Sequence, residues 1–222
     1  MVARLAHYQK AEGSIPSPAT TLVPKVPRKA RLSVSNESPG EILSGLTKKN
    51  MVLAFTGGQF SMLDWVEAMM ARVGPCDLTI CSWTASKAAA QRIGSWLKSG
   101  KAGSIKMIID DSLASRQPRA HEALEEAVGT ENLVEMSVHA KFAIAKGKKE
   151  TLTALMSGNL TSTPAAEYYL VESGPGLYEG VKELVNKVWN CDIEAGRVWG
   201  QLRSKETAEK VGGVSVFEMT LR

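Results

Sequence analysis

The stretch Val138–Asn159, VHAKFAIAKGKKETLTALMSGN, decides how this chain folds and where its chemistry lies. It reads as two strands, Val138–Ala145 and Thr151–Ser157, joined by the tight polar segment Lys146-Gly147-Lys148-Lys149-Glu150. Side chains alternate along a strand, so His139 and Lys141 share one face. Ser157 and Asn159 repeat that spacing on the second run. If the runs pair, an imidazole, an ammonium, a hydroxyl and an amide converge on one small patch. The face of His139, Lys141, Ala143 and Ala145 is polar at one end and small beyond, which predicts a surface open to substrate. Ala140, Phe142 and Ile144 make the opposite, core-facing side.

Working outward, strand-like and helix-like segments alternate. Met51–Phe55, Asp77–Ser82, Ser104–Ile109, Asn132–Met136 and Tyr168–Val171 read as further strands. Ser61–Val73, Ser86–Leu97, Arg119–Val128 and Leu177–Trp189 read as helices, with Pro118 suited to a first helical turn. This order predicts an α/β fold, a mixed sheet flanked by helices on both faces. Residues 1–45 differ from the rest. They hold five of the nine prolines, and Met1–Arg31 carries six basic residues against one acid, Glu12. Such sequence buries little surface, so residues 1–45 are read as a flexible basic arm and 46–222 as the folded domain. The arm is either a contact for a polyanion or a plain extension.

Composition sets outer bounds. Of the 222 residues 44% are hydrophobic, enough for a true core, and the formal net charge of +4 permits a polyanionic partner without demanding one. Cys76, Cys81 and Cys191 have no metal-ligand spacing and cannot all pair, so reduced, mostly buried thiols and a cytoplasmic setting are expected. No signal peptide and no membrane span are expected, since no run approaches the roughly 18 apolar residues a spanning helix requires.

A His-x-Lys pair alone usually marks a half-exposed strand. Ser157 and Asn159 at matching spacing, with Glu167 downstream to accept an imidazole N–H and fix the tautomer, favour a functional patch. HAKFAIAK at 139–146 and LMSGNLTSTPAAE at 155–167 resemble the half-motif of the phospholipase D superfamily, His-x-Lys-x4-Asp-x6-Gly-Ser-x-Asn. The likeness extends over about 51–190 in element order; its specific part is His139–Glu167. Lys146 stands where the motif has aspartate, Met156 where it has glycine, and the His139–Asn159 interval exceeds the family's minimal one, which a longer hairpin turn absorbs.

The resemblance implies a phospholipase D-like fold and a metal-independent phosphodiesterase with no cofactor. One histidine attacks phosphorus and becomes a phosphohistidine, while a second protonates the leaving oxygen and then activates water. It assigns His139 as nucleophile or general acid, with Lys141, Ser157 and Asn159 on the phosphate and Glu167 orienting His139. The chemistry needs two histidines and the chain holds one motif. His7 lies in the arm, and His121 has no lysine two residues on. A homodimer with the active site shared across a two-fold axis follows.

Nucleic acid, DNA first, is preferred over lipid, given the basic arm, the small size and the lack of a membrane-binding segment. Trp83 and Thr84, at a strand end, are candidate substrate contacts, Trp83 by stacking on a base, although core packing or a dimer contact suits that tryptophan as well. Lys146 and Lys148, with Lys149, Arg116 and Arg119, are candidates to track phosphates. Gly57-Gly58 suits a turn better than a phosphate loop, and Asp110-Asp111 a strand-end turn and cap better than a metal site. Two rivals stand beside the nuclease: a nucleic-acid-binding protein of the same fold without turnover, which Lys146 in place of aspartate supports, and a lipid phosphodiesterase.

Overall fold

The computed structural model describes residues 29–33, 37–162 and 165–190. In chain order the elements are β1 (Lys29–Ser33), α1 (Pro39–Ser44), β2 (Asn50–Thr56), α2 (Met62–Val73), β3 (Cys76–Ser82), α3 (Lys87–Lys98) and β4 (Ala102–Asp110). Then come α4 (Leu113–Arg116), α5 (Pro118–Val128), β5 (Leu133–Met136), β6 (Phe142–Gly147), β7 (Thr151–Met156), β8 (Glu167–Ser173) and α6 (Pro175–Asn190). One mixed sheet runs β1-β2-β8-β7-β6-β3-β4-β5. β6 and β8 run antiparallel to their neighbours, and the β1–β2, β3–β4 and β4–β5 pairs are parallel.

Register explains the core. Ile80 pairs with Ala143, Ala143 with Ala154, Ala154 with Val171 and Val171 with Val52, a row of buried apolar side chains straight across the sheet. Helix α2 lies in the same cluster through Met62, Trp65, Val66, Met69 and Met70, which recur at helical spacing. Its start is fixed by a reciprocal cap: Asp64 accepts from the Ser61 N–H at 2.7 Å and from the Ser61 hydroxyl at 2.8 Å. Its end falls at Gly74, whose φ of 77° suits glycine. Trp65 and Tyr169, both fully buried, stack at 4.6 Å between ring centroids and tie α2 to β8. The alternate strand positions make a second row, Ile108–Cys81–Phe142–Leu155, which clusters with Val185 and Val188 of α6.

Three expectations change. The segment read as a flexible arm over 1–45 contributes β1, paired in parallel with β2, and α1, which begins at a Ser38–Glu41 capping box. Residues 1–28, with most of the arm's prolines and with His7, and Cys191 lie outside the described residues. Strand β6 starts at Phe142, so His139–Lys141 precede it. Its predicted open face is not open: Ala143 and Ala145 are fully buried in the main core, while Phe142 and Ile144 are buried on the other side. Both faces of β6 are covered, so a ligand meets the strand at its end. Among the described residues no helix is long and apolar enough to cross a membrane. Cys76 and Cys81 are free, buried thiols, and burial pushes them up to about 11 and about 12.

Candidate active site

Strand directions bring the chemistry to one edge of the sheet. The C-terminal ends of β2, β3 and β7 and the N-terminal ends of β6 and β8 all emerge there, as the pairs Thr56↔Glu167, Cys81↔Phe142 and Met156↔Tyr169 require. Trp83 and Thr84, His139 and Lys141, Ser157 and Asn159, and Glu167 therefore gather in one place from four strand ends.

His139 is exposed, and Lys141, two residues on, is only 9% exposed. The Lys141 ammonium lies 3.2 Å from His139 Nδ1 and 3.3 Å from Nε2, and donates to the His139 carbonyl at 2.8 Å. Burial lowers the Lys141 ammonium below its ordinary value, and the charge of Glu167 opposes that fall. The segment 138–141 is irregular yet fastened at three points. Val138 N–H donates to Asp110 Oδ2 at 3.1 Å, the Cys81 thiol donates to the Ala140 carbonyl at 3.4 Å, and Met156 N–H donates to the Lys141 carbonyl at 3.0 Å. Neither Asp110 nor Cys81 was singled out for this task by the sequence. The only hint was their place near the ends of two predicted strands.

Asp110 also takes the Ser112 hydroxyl and, at 3.2 Å, the Ser112 N–H. Burial pushes its carboxyl up, but these bonds and that of Val138 outweigh it, and the group ends below the usual carboxylate range. The strand-end turn expected at Asp110-Asp111 is thus present, and it anchors the histidine segment as well. Arg116 continues this network. Its guanidinium lies 4.3 Å from the Trp83 ring centroid and donates to the Trp83 carbonyl at 3.2 Å, and Trp83 in turn sits 5.5 Å from the His139 ring, centroid to centroid.

On the other side, the Ser157 hydroxyl bonds the Glu167 carboxylate and accepts the Tyr168 N–H at 3.0 Å. Glu167 was expected to orient His139; it braces Ser157 instead, because β8 begins beside the end of β7. The Asn159 Oδ1 lies 3.4 Å from the Ser82 hydroxyl, which also donates to the Thr84 carbonyl at 2.8 Å and accepts the Leu160 N–H at 3.2 Å. Thr84 Oγ1 accepts from the Gln117 amide at 3.2 Å.

Lys146 and Lys148, expected to touch substrate, lie at the opposite edge. Lys146 is at the far end of β6 and Lys148 in the β6–β7 turn, which the Arg72–Glu150 ion pair at 2.8 Å fastens to α2. Lys146 lies five residue steps along the strand from Lys141, about 17 Å. For the same reason, lysine at the motif's aspartate position leaves the histidine patch undisturbed. His121, one helical turn after Gln117 on α5, faces Glu135 of β5 at 3.0 Å and Glu125 at 3.6 Å, so it is engaged on the β5 side of the sheet, two strands from β3.

Gly158 lies between Ser157 and Asn159 because nothing larger fits: an added Cβ would stand 2.8 Å from the Tyr169 hydroxyl. Gly158→Ala is expected to cost about 1–3 kcal/mol in urea unfolding and to weaken substrate binding. Gly158→Ala combined with Tyr169→Phe, which removes the clashing oxygen, should recover most of that binding. A double variant as weak as the single one would refute the steric account.

No protein-family model matches the chain, and no curated protein matches it in sequence. Among solved structures it is similar to a polyphosphate kinase from Porphyromonas gingivalis, with a TM-score of 0.50 and 14% identity over 78% of this chain and 31% of that one. It is also similar to a phosphatidylserine synthase from Haemophilus influenzae Rd KW20, with a TM-score of 0.44 and 14% identity over 72% of this chain and 47% of that one. The chain spans about a third of the kinase's length. The first likeness bears on fold alone, and supports a mixed α/β fold shared with that kinase.

Proposed function

We propose that this protein is a metal-independent phosphodiesterase that cleaves nucleic acid, with its active site completed by a second copy of the chain. The observation that carries the reading is the meeting of His139, Lys141, Ser157 and Asn159 at one edge of the sheet. An imidazole nitrogen of one His139 attacks phosphorus, and the phosphorus–oxygen bond to the leaving nucleotide breaks. The leaving oxygen takes a proton from the imidazolium of the partner copy. Water then attacks the phosphohistidine, returns a proton to that second imidazole and frees the first. Lys141 and the amide N–H groups of Asn159 hold the non-bridging oxygens as charge shifts onto them. The Glu167 carboxylate keeps Ser157 in place beside them. The fold similarity to a kinase supports phosphoryl-transfer chemistry in general.

A second copy is needed because, among the described residues, His139 is the only histidine at the ends of β3, β6, β7 and β8; His121, on the β5 side, already faces Glu135 and Glu125. The sheet beside it offers a surface for that copy. Phe55 and Tyr168 are cross-strand partners, 47% and 42% exposed, next to Glu167. Leu53, Leu155 and Leu170 continue the same face, half-buried. A two-fold axis at this edge buries the aromatic pair against its mate and brings the two histidines together. Phe55→Asp is expected to shift the protein from dimer to monomer in sedimentation at micromolar concentration and to abolish cleavage with the fold intact. A dimer that survives the charge would remove this face from the reading.

The test of the function is cleavage of single- and double-stranded DNA in excess chelator. Activity that persists without divalent metal, and weakens steeply with added salt, is the expected result. A requirement for added Mg2+ would sink the mechanism. Head-group release from lipid vesicles with DNA left intact would point to the lipid rival.

A further inference from the structure

A cavity of about 560 Å³ shares Asn159 and Glu167 with the phosphate patch and has Trp83, the neighbour of His139, in its wall; its volume is within the range of small-molecule sites. Its wall includes Gln59, Phe60, Trp83, Thr84, Gln117 and Asn159, that is, three primary amides, a hydroxyl and two aromatic rings. The charges in the wall are already answered. Asp64 is held by Ser61 and, at 2.9 Å, by Arg92. Arg92 is held further by Glu67 at 2.6 Å, and Glu167 by Ser157. A second phosphate finds no free cation among the described residues here. Gln117 Nε2 donates to Thr84 Oγ1 and Gln59 Oε1 accepts the Gly57 N–H, which leaves the Gln117 carbonyl oxygen and the Gln59 amide N–H groups for a polar ligand edge that an acyl chain lacks. The chemistry that fits is uncharged, flat and rich in hydrogen-bonding groups.

We infer that this cavity receives a single nucleobase of the nucleotide whose phosphate lies at His139, with the Gln117 and Gln59 amides reading its edge. The inference rests on the phosphate site proposed above and narrows its substrate. A base enters such a cavity only out of its stack, so the substrate is a single strand or a locally unpaired nucleotide. Gln117 precedes α5 and is exposed; it is a specificity residue and touches no reacting atom.

Calorimetry on the full chain tests this with thymidine 5′-phosphate, glycerol 3-phosphate and inorganic phosphate as probes. Wild type is expected to bind the nucleotide at least about tenfold more tightly than the other two, a difference of about 1.4 kcal/mol. Gln117→Leu should erase that preference and leave glycerol 3-phosphate binding unchanged, which also shows that the variant is folded. Single-stranded oligothymidylate should displace the nucleotide at lower concentration than duplex of the same length. Equal affinity for the three probes, a preference that survives Gln117→Leu, or equal competition by duplex would each overturn the inference. The nuclease reading fails separately: cleavage without nucleotide preference removes only the base cavity, and nucleotide preference without cleavage removes only the turnover.

Discussion

His139→Ala is expected to lower DNA cleavage by at least about a thousandfold while leaving the urea midpoint unchanged. The ring is exposed and adds little to the core, so its loss removes chemistry and spares the fold. In a shared site the variant does more than lose its own activity. When wild type and His139→Ala subunits exchange in equal amounts, about a quarter of the dimers keep two intact histidines. Cleavage should then fall to about a quarter of the wild-type rate at the same total protein. A self-contained monomer would fall only to about half. The mixing curve thus separates one imidazole from two without any structure of the complex. A linear curve would break the two-histidine mechanism, and residual activity near wild type in the pure variant would remove His139 from the chemistry altogether.

The sequence showed the site more clearly than its supports. His139, Lys141, Ser157 and Asn159 reach one edge because they lie just outside the paired ends of β6 and β7. The ladder Cys81↔Phe142↔Leu155 sets the register that aligns them. Long-range fastening was not legible. Asp110 reaches Val138 across 28 residues, and Cys81 reaches Ala140 across 59, and neither partner has a local pattern that announces the other. Lys146 and Lys148 were misplaced for a related reason. Charge and nearness in sequence favoured them, but a strand carries its two ends far apart. Glu167 was correctly drawn to this edge and assigned the wrong neighbour, since the order of strand ends decides between Ser157 and His139. β1 was hidden because its partner β2 supplies the pairing that its own composition does not advertise.

Lys141→Met should lose activity and gain stability together. The ammonium is buried, its hydrogen bonds go to the His139 carbonyl and ring, and no carboxylate lies within ion-pair distance of it among the described residues. Burial lowers it from an ordinary value of 10.5, which means that the fold disfavours the charged form. A folded-state value below the unfolded one makes the unfolded chain bind the extra proton in between, so wild-type stability rises with pH across that interval. The cost of burying the charge is complete below the folded value and disappears above the unfolded one. Methionine fills nearly the same volume without the charge and should unfold at higher urea at neutral pH. The gap between the two proteins should narrow as the pH approaches and passes 10.5. Cleavage should fall by about a hundredfold or more, because the cation nearest the attacking ring is gone. Such opposed changes are the mark of a group kept for what it does to a ligand rather than for what it does to the fold. A variant that is both less stable and still active would mean that Lys141 is a structural lysine, and the phosphate would then need another cation at this edge.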